Sequence, residues 1–217
     1  MTKDYASDKI PIFALDFEGA IACGIVEFGV VEIRDWEIVS LKTSLCAPRQ
    51  KVAPKTMDMC GFSANELKRA PRFESFANDF IQMRKIGLFA AHNKGAENSM
   101  LNSYFPNPSA FTDFANNTPT FSWSPFIDTL VLVKKIFPML KSGALSDVIK
   151  SFGLLDKLNN DAKRLCPPTR QKWHCAPYDA LACAEIIIAL SKLNGFENLS
   201  VKWLAQNSTN DNQLSLF

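Results

Sequence analysis

Residues 10–17, Ile-Pro-Ile-Phe-Ala-Leu-Asp-Phe, form a nearly unbroken apolar run whose single charge, Asp16, is followed two positions later by Glu18. Such a run reads as a β-strand buried on both faces. The two-residue period of a strand sends both carboxylates to the same face. There each would lose several kcal/mol of solvation and repel the other. Protonation, an opening to solvent or a shared cation would relieve this, and a metal ion is the simplest relief. The Asp-x-Glu spacing by itself is common, and an ordinary solvated strand end accommodates it as well.

The segments that follow suggest a sheet and then a βα pattern. Residues 24–33 are rich in β-branched side chains, and 37–45 follow a turn at Arg34-Asp35-Trp36, so three strands are expected first. Ser63 and Glu66 have capping-box spacing, and Phe73, Phe76, Ala77, Phe80 and Ile81 predict a helix over about 73–84. A short strand over 86–91 ends at His92-Asn93, and a helix over about 96–104 comes next. Residues 107–125, rich in Asn, Thr, Ser, Pro and Phe, read either as a substrate-facing loop or as a disordered stretch. Residues 126–128 close a strand into a helix carrying Leu130, Val133 and Ile136, and a helix over 145–152 stops at Gly153. Pro177 suits the first turn of a long helix reaching about Leu193, and a short helix over 199–205 precedes a polar tether.

Two further stretches place acids beside the first pair. Glu97 follows His92-Asn93-Lys-Gly-Ala at a strand end leading into a helix, where it is either an ordinary helix-start acid or a third carboxylate aimed at the same crevice. His92 is better read as a hydrogen-bonded strand-end residue. His174-Cys-Ala-Pro-Tyr-Asp179 puts a histidine in the loop before the Pro177 helix and an aspartate in that helix's first turn. Asp179 either complements the helix dipole or supplies a fourth carboxylate, with His174 close enough to take a proton from water.

Composition narrows the classes. With 24 basic against 22 acidic residues among 217, the net charge of +2 rules out a broad electrostatic coat for nucleic acid, so any such contact is local. The six cysteines contain no C-x-x-C pair, and the two histidines are too few to complete a zinc knuckle; reduced core thiols are expected. No stretch approaches the roughly 18–20 uncharged apolar residues needed to span a bilayer, and the start does not look like a signal peptide. A soluble cytoplasmic protein with no membrane partner is expected.

Taken together, these residues resemble the DnaQ-like (DEDDh) 3′-to-5′ exonucleases, which have an RNase H-like fold. The resemblance runs over about 10–193. It is carried by Leu15-Asp16-Phe17-Glu18, Ile25-Val26-Glu27-Phe28-Gly29, Cys60-Gly61-Phe62, Ala91-His92-Asn93 with an acid five residues after the histidine, Asp128-Thr129-Leu130, and H-x-A-x-x-D-A from His174 to Ala180. It implies an α/β fold, a mixed central sheet flanked by helices in a single domain over 10–205, with an N-terminal extension over 1–9 and a polar tail over 206–217. It also implies two divalent ions, Mg2+ or Mn2+, held by Asp16, Glu18, Glu97 and Asp179, with His174 as general base, while Asp128 organises the fold. The substrate would be a nucleic-acid strand with a free 3′ end, released as nucleoside 5′-monophosphates, and the C-terminal tail tilts it toward DNA with a free 3′ end. Phe17 and the Gly19, Ala20, Ile21 and Ala22 backbone are expected to pack on the terminal nucleotide, with core packing the alternative for Phe17. Three departures stand out: Glu97 where the family usually has Asp, Ala96 where it has Phe, and Gly19-Ala20 where it has threonines. The extra methylene of Glu97 bears on magnesium, which demands near-ideal octahedral geometry.

The last residues, Gln213-Leu214-Ser215-Leu216-Phe217, resemble the short motif by which bacterial replication and repair proteins bind the sliding clamp. A chance match has a probability on the order of one in ten thousand. Leu214, Leu216 and Phe217 would fill an apolar groove and Gln213 would supply hydrogen bonds; the alternative is a tail docked on its own domain. The expectation is therefore a clamp-recruited bacterial DNA exonuclease for proofreading or repair. A non-catalytic clamp-tethered DNA-binding module and an RNA-trimming exoribonuclease are the alternatives.

Overall fold

The computed structural model describes residues 10–197 and 199–209. The expected N-terminal extension over 1–9 and the Gln213 to Phe217 motif lie outside the described residues. Strands β1 (Ile12–Ala20), β2 (Gly24–Arg34) and β3 (Glu37–Leu45) form an antiparallel meander. The β2–β3 turn has positive φ at both Asp35 and Trp36, the handedness that matches strand twist in a tight hairpin. Strands β4 (Leu88–Ala91) and, beyond two strands described below, β7 (Phe126–Asp128) add in parallel to the other edge of β1, giving the order β3-β2-β1-β4-β7. This is the mixed, RNase H-like sheet expected, in one domain.

Alternation along β1 divides the core. Ile12 and Ala14 face helix α8 (Ala176–Ser191), which is apolar almost all round because it lies between the sheet and helices α5 (Thr129–Ile136), α6 (Leu145–Ser151) and α7 (Leu155–Leu165). Phe13, Leu15 and Phe17 face the other way, into an aromatic cluster with Phe28, Phe73, Phe80, Phe89 and Trp123. Asp16 and Glu18 therefore belong to the α8 side.

Helices α1 (Pro54–Cys60) and α2 (Ala64–Arg69) follow the meander, and the Ser63–Glu66 capping box forms with both reciprocal bonds at 3.1 Å. The helix expected over 73–84 begins as a 3-10 turn, Phe73–Phe76, before α3 (Ala77–Ile86), because Phe73 and Phe76 both dock on Phe28. After β4 comes α4 (Gly95–Tyr104). Residues 107–125 correct the expectation of a loop or disorder: they contain a hairpin, β5 (Phe111–Asp113) and β6 (Thr118–Thr120). Helix α7 is not among the expected elements, although Leu155, Leu158, Ala162 and Leu165 recur at helical spacing amid charged residues. Helix α9 (Val201–Asn207) extends past Ala205, and Ser208 is buried, its Oγ accepting from Asp128 N at 2.8 Å. All six cysteines are free and buried.

Arg84 pins the hairpin region. Fully buried, it donates to Trp123 O, Thr112 O and Ser124 O at 2.8, 2.8 and 2.9 Å. Burial pulls its pKa down to about 10. Replacing Arg84 with Met orphans three carbonyls, so urea unfolding should show a loss of about 3 kcal/mol; a loss under about 1 kcal/mol would show that water replaces the guanidinium.

Candidate active site

The site forms where β1 ends beside the first turn of α8. In the β1–β2 register Asp16 lies opposite Gly29 and Glu18 opposite Glu27. Those two β2 residues receive α8. A Cβ on Gly29 would run into the Ala176 carbonyl, so glycine permits the helix start to lie directly on the strand. Glu27 Oε2 accepts from Ala176 N at 2.9 Å. The first turn of α8, with Asp179, is thereby fastened across from the two β1 acids. A register shift after Glu18 and φ of 133° at Gly19 form a bulge that ends regular pairing beside the acids, a device frequent at active sites.

One ligand atom each from Glu18, His174 and Asp179 lies within 4.8 Å of the others. His174 is exposed at φ 61°, an uncommon backbone for a non-glycine residue, and its N–H donates to Asp179 Oδ2 at 3.1 Å. Asp16 and Glu97 lie outside that tight triplet but within its field. Burial, then the charges of Asp179, Glu18, Glu97 and Glu27, hold the Asp16 carboxyl well above the ordinary range, although part of the residue still faces the crevice. Burial also raises Glu18, against the lowering effect of a thiol hydrogen bond from Cys60 at 3.2 Å. Desolvation lifts Glu97 to about 7, and Asp179 to about 7 with help from Glu18.

A divalent cation fits this donor set. Glu97 Oε2 and Asp179 Oδ1 are buried and lack a hydrogen-bond partner among the described residues, a costly state for carboxylate oxygens that a hard cation would relieve. Asp16, Glu18, Glu97 and Asp179 are the oxygen donors available to hold such ions, with His174 at the rim.

The other expected residues separate by strand parity. The Phe17 ring does not offer a stacking face: it is 5% exposed and packs at 5.7 Å from Phe73 and 5.8 Å from Phe80. The turn beyond it is open, with Ile21 62% exposed between Ala20 and Ala22. His92 is tied on both ring nitrogens, donating from Nε2 to Gly143 O at 2.7 Å and accepting at Nδ1 from Thr129 Oγ1 at 2.9 Å. Asp128 caps α5 through Leu130 N and Val131 N and also accepts from Asn93 N and Lys94 N, so it shapes the loop that launches α4 and Glu97. Sequence reasoning assigned no role to Cys60, Glu27 or Arg170, which surround the acids; Glu27 was signalled by a charge inside the apolar β2 run and by its place in the Ile25-Val26-Glu27-Phe28-Gly29 motif.

Residues 15–187 match the family described as RNase_T, Exonuclease. Among curated relatives, the "3'-5' exonuclease DinG" of Staphylococcus saprophyticus is 26% identical over 183 residues, 84% of this chain and 17% of the relative. The "DNA polymerase III PolC-type" of Halalkalibacterium halodurans is 25% identical over 130 residues, 60% of this chain and 8% of that one. The chain thus spans a small fraction of either relative. Among solved structures, "Exonuclease X in complex with 5' overhanging duplex DNA" superposes with TM-score 0.66 at 19% identity, covering 92% of this chain and 99% of the other. An exonuclease I structure gives TM-score 0.60 at 14% identity over 88% and 43%.

The raised carboxyls give stability a pH dependence. Folded Glu97 and Asp179 keep protons up to about 7, whereas in the unfolded chain they release them near 4. The metal-free native state therefore binds more protons across that window, and stability falls as pH rises through it. In EDTA the melting temperature should drop from about pH 5 to about pH 8, and Mg2+ or Mn2+ should raise it more at the higher pH. Scanning calorimetry checks this; an equal metal effect at both values would show that the ions bind elsewhere.

Proposed function

The chain belongs to the RNase_T exonuclease family, and from that premise we propose that it is a metal-dependent 3′-to-5′ DNA exonuclease of the DEDDh type, working in the bacterial cytoplasm. The observation that carries this reading is the meeting of Glu18, His174 and Asp179 within 4.8 Å, with a buried carboxylate oxygen each of Asp179 and Glu97 left without a partner among the described residues. Divalent ions held by Asp16, Glu18, Glu97 and Asp179 would offset the stacked negative charge and polarise the terminal phosphodiester when bound.

His174 is the group placed to accept a proton from the attacking water. Its imidazole stands at the exposed rim while its backbone is held by Asp179. Water adds to phosphorus, the bond to the 3′-oxygen breaks, and that oxygen takes a proton from solvent. A nucleoside 5′-monophosphate and a strand shorter by one nucleotide are the products. The 19–22 turn, presenting Ile21, offers apolar surface to the terminal base without reading its identity. Glu97 in place of a shorter acid biases the site toward Mn2+, whose coordination is less exacting than that of Mg2+.

Replacing Asp16 or Asp179 with Ala should remove release of nucleoside monophosphates from a labelled single strand, by at least about 100-fold in kcat; undiminished hydrolysis would overturn the assignment. Clamp recruitment rests on Gln213-Leu214-Ser215-Leu216-Phe217 alone. A peptide of that size binds at about micromolar Kd, and a tether multiplies its effect at clamp-loaded DNA. Deleting these five residues should abolish binding to the sliding clamp, measured by surface plasmon resonance, and leave hydrolysis of a free oligonucleotide intact. Unchanged clamp affinity would refute that address.

A further inference from the structure

By register, Glu27 should be a fifth acid of the crevice, since it stands directly across from Glu18. Its oxygens are already engaged. Oε1 accepts from Arg170 Nε at 2.7 Å, and Oε2 accepts from Arg170 Nη2 at 2.6 Å and from Ala176 N at 2.9 Å. The third guanidinium nitrogen, Nη1, donates to Cys60 O at 2.7 Å. Cys60 in turn donates its thiol to Glu18 Oε2 at 3.2 Å. The hydrogen bonds close a chain through β1, α1, the 3-10 turn Pro168–Arg170, β2 and α8. Both Glu27 and Arg170 are buried, and the guanidinium also lies 4.8 Å from the centre of the Phe62 ring.

We propose that the buried Glu27–Arg170 pair is a positioning device for the metal-holding acids, setting Asp179 through the start of α8 and Glu18 through Cys60, and is not itself a metal ligand. This rests on the nuclease reading only for its activity readout. A planar fork is required because three carbonyl or carboxylate oxygens in different directions are served by one side chain. A lysine in its place keeps the charge and cannot reach all of them. Small displacements matter here, since outer groups that orient metal ligands are commonly worth about 10- to 100-fold in affinity or rate.

The test uses the full chain with Arg170→Lys and, as a shape-conserving second variant, Glu27→Gln. Mn2+ binding is followed by electron paramagnetic resonance, alongside kcat and KM on a single-stranded oligonucleotide below the melting temperature of each variant. Glu185→Gln serves as the control: Glu185 is equally buried in α8 but pairs with Lys157, away from the acids. Arg170→Lys should weaken Mn2+ binding and lower kcat by about tenfold or more, with KM within about twofold, while Glu185→Gln lowers the melting temperature and leaves Mn2+ affinity unchanged. Mn2+ affinity and kcat within about twofold of wild type, despite a lower melting temperature, would reduce the pair to a stabilising role and overturn the proposal. If Arg170→Lys does not fold, Glu27→Gln carries the same readouts. A wild type that binds Mn2+ but cleaves no DNA would sink the nuclease reading and leave positioning to be decided by Mn2+ affinity. A wild type that binds no Mn2+ would overturn both.

Discussion

Four acidic side chains gathered in one half-buried crevice govern this molecule. Loss of water is the largest cause raising the carboxyls of Asp16, Glu18, Glu97 and Asp179, and neighbouring acids raise them further. Hydrophobic burial elsewhere in the domain supplies the free energy that holds them there. A fold that assembled these side chains only for stability would have given Glu97 Oε2 and Asp179 Oδ1 hydrogen-bond donors among the described residues. The pattern is that of a donor set that a hard cation would relieve.

The way the acids are gathered follows from the geometry of a pleated strand. Asp16 and Glu18 share the α8 face because they are two residues apart, and the same rule turns Phe17 into the aromatic core between Phe73 and Phe80. Opposite them, Gly29 lets the helix start approach and Glu27 grips its first amide. Glu97 arrives from the parallel half of the sheet, launched by a loop that Asp128 holds through backbone amides. Residues that look reactive in isolation, His92 and Asp128, turn out to be occupied in shaping that loop.

Much was legible from periodicity. The three-strand meander, the Ser63 capping box and the Pro177 helix follow from local rules of turn, cap and alternation, and they appear where those rules put them. The 107–125 segment was not legible, because its order comes from the remote Arg84 guanidinium filling three of its carbonyls. Helix α7 was legible but not expected: Leu155, Leu158, Ala162 and Leu165 recur at helical spacing amid charged residues, and that face packs on α8.

The amino-acid sequence alone determined which faces are apolar, that two carboxylates share one of them, and which motif spacings accompany them, since these depend on neighbours within a few positions. Only the tertiary structure decided that Glu27, level with Glu18, is consumed by Arg170 while Glu97 Oε2 and Asp179 Oδ1 find no donor among the described residues. The physical reason is that a carboxylate's role is set by the donors around it. Those donors come from residues up to 149 positions away in the chain, a distance over which no local pattern carries information.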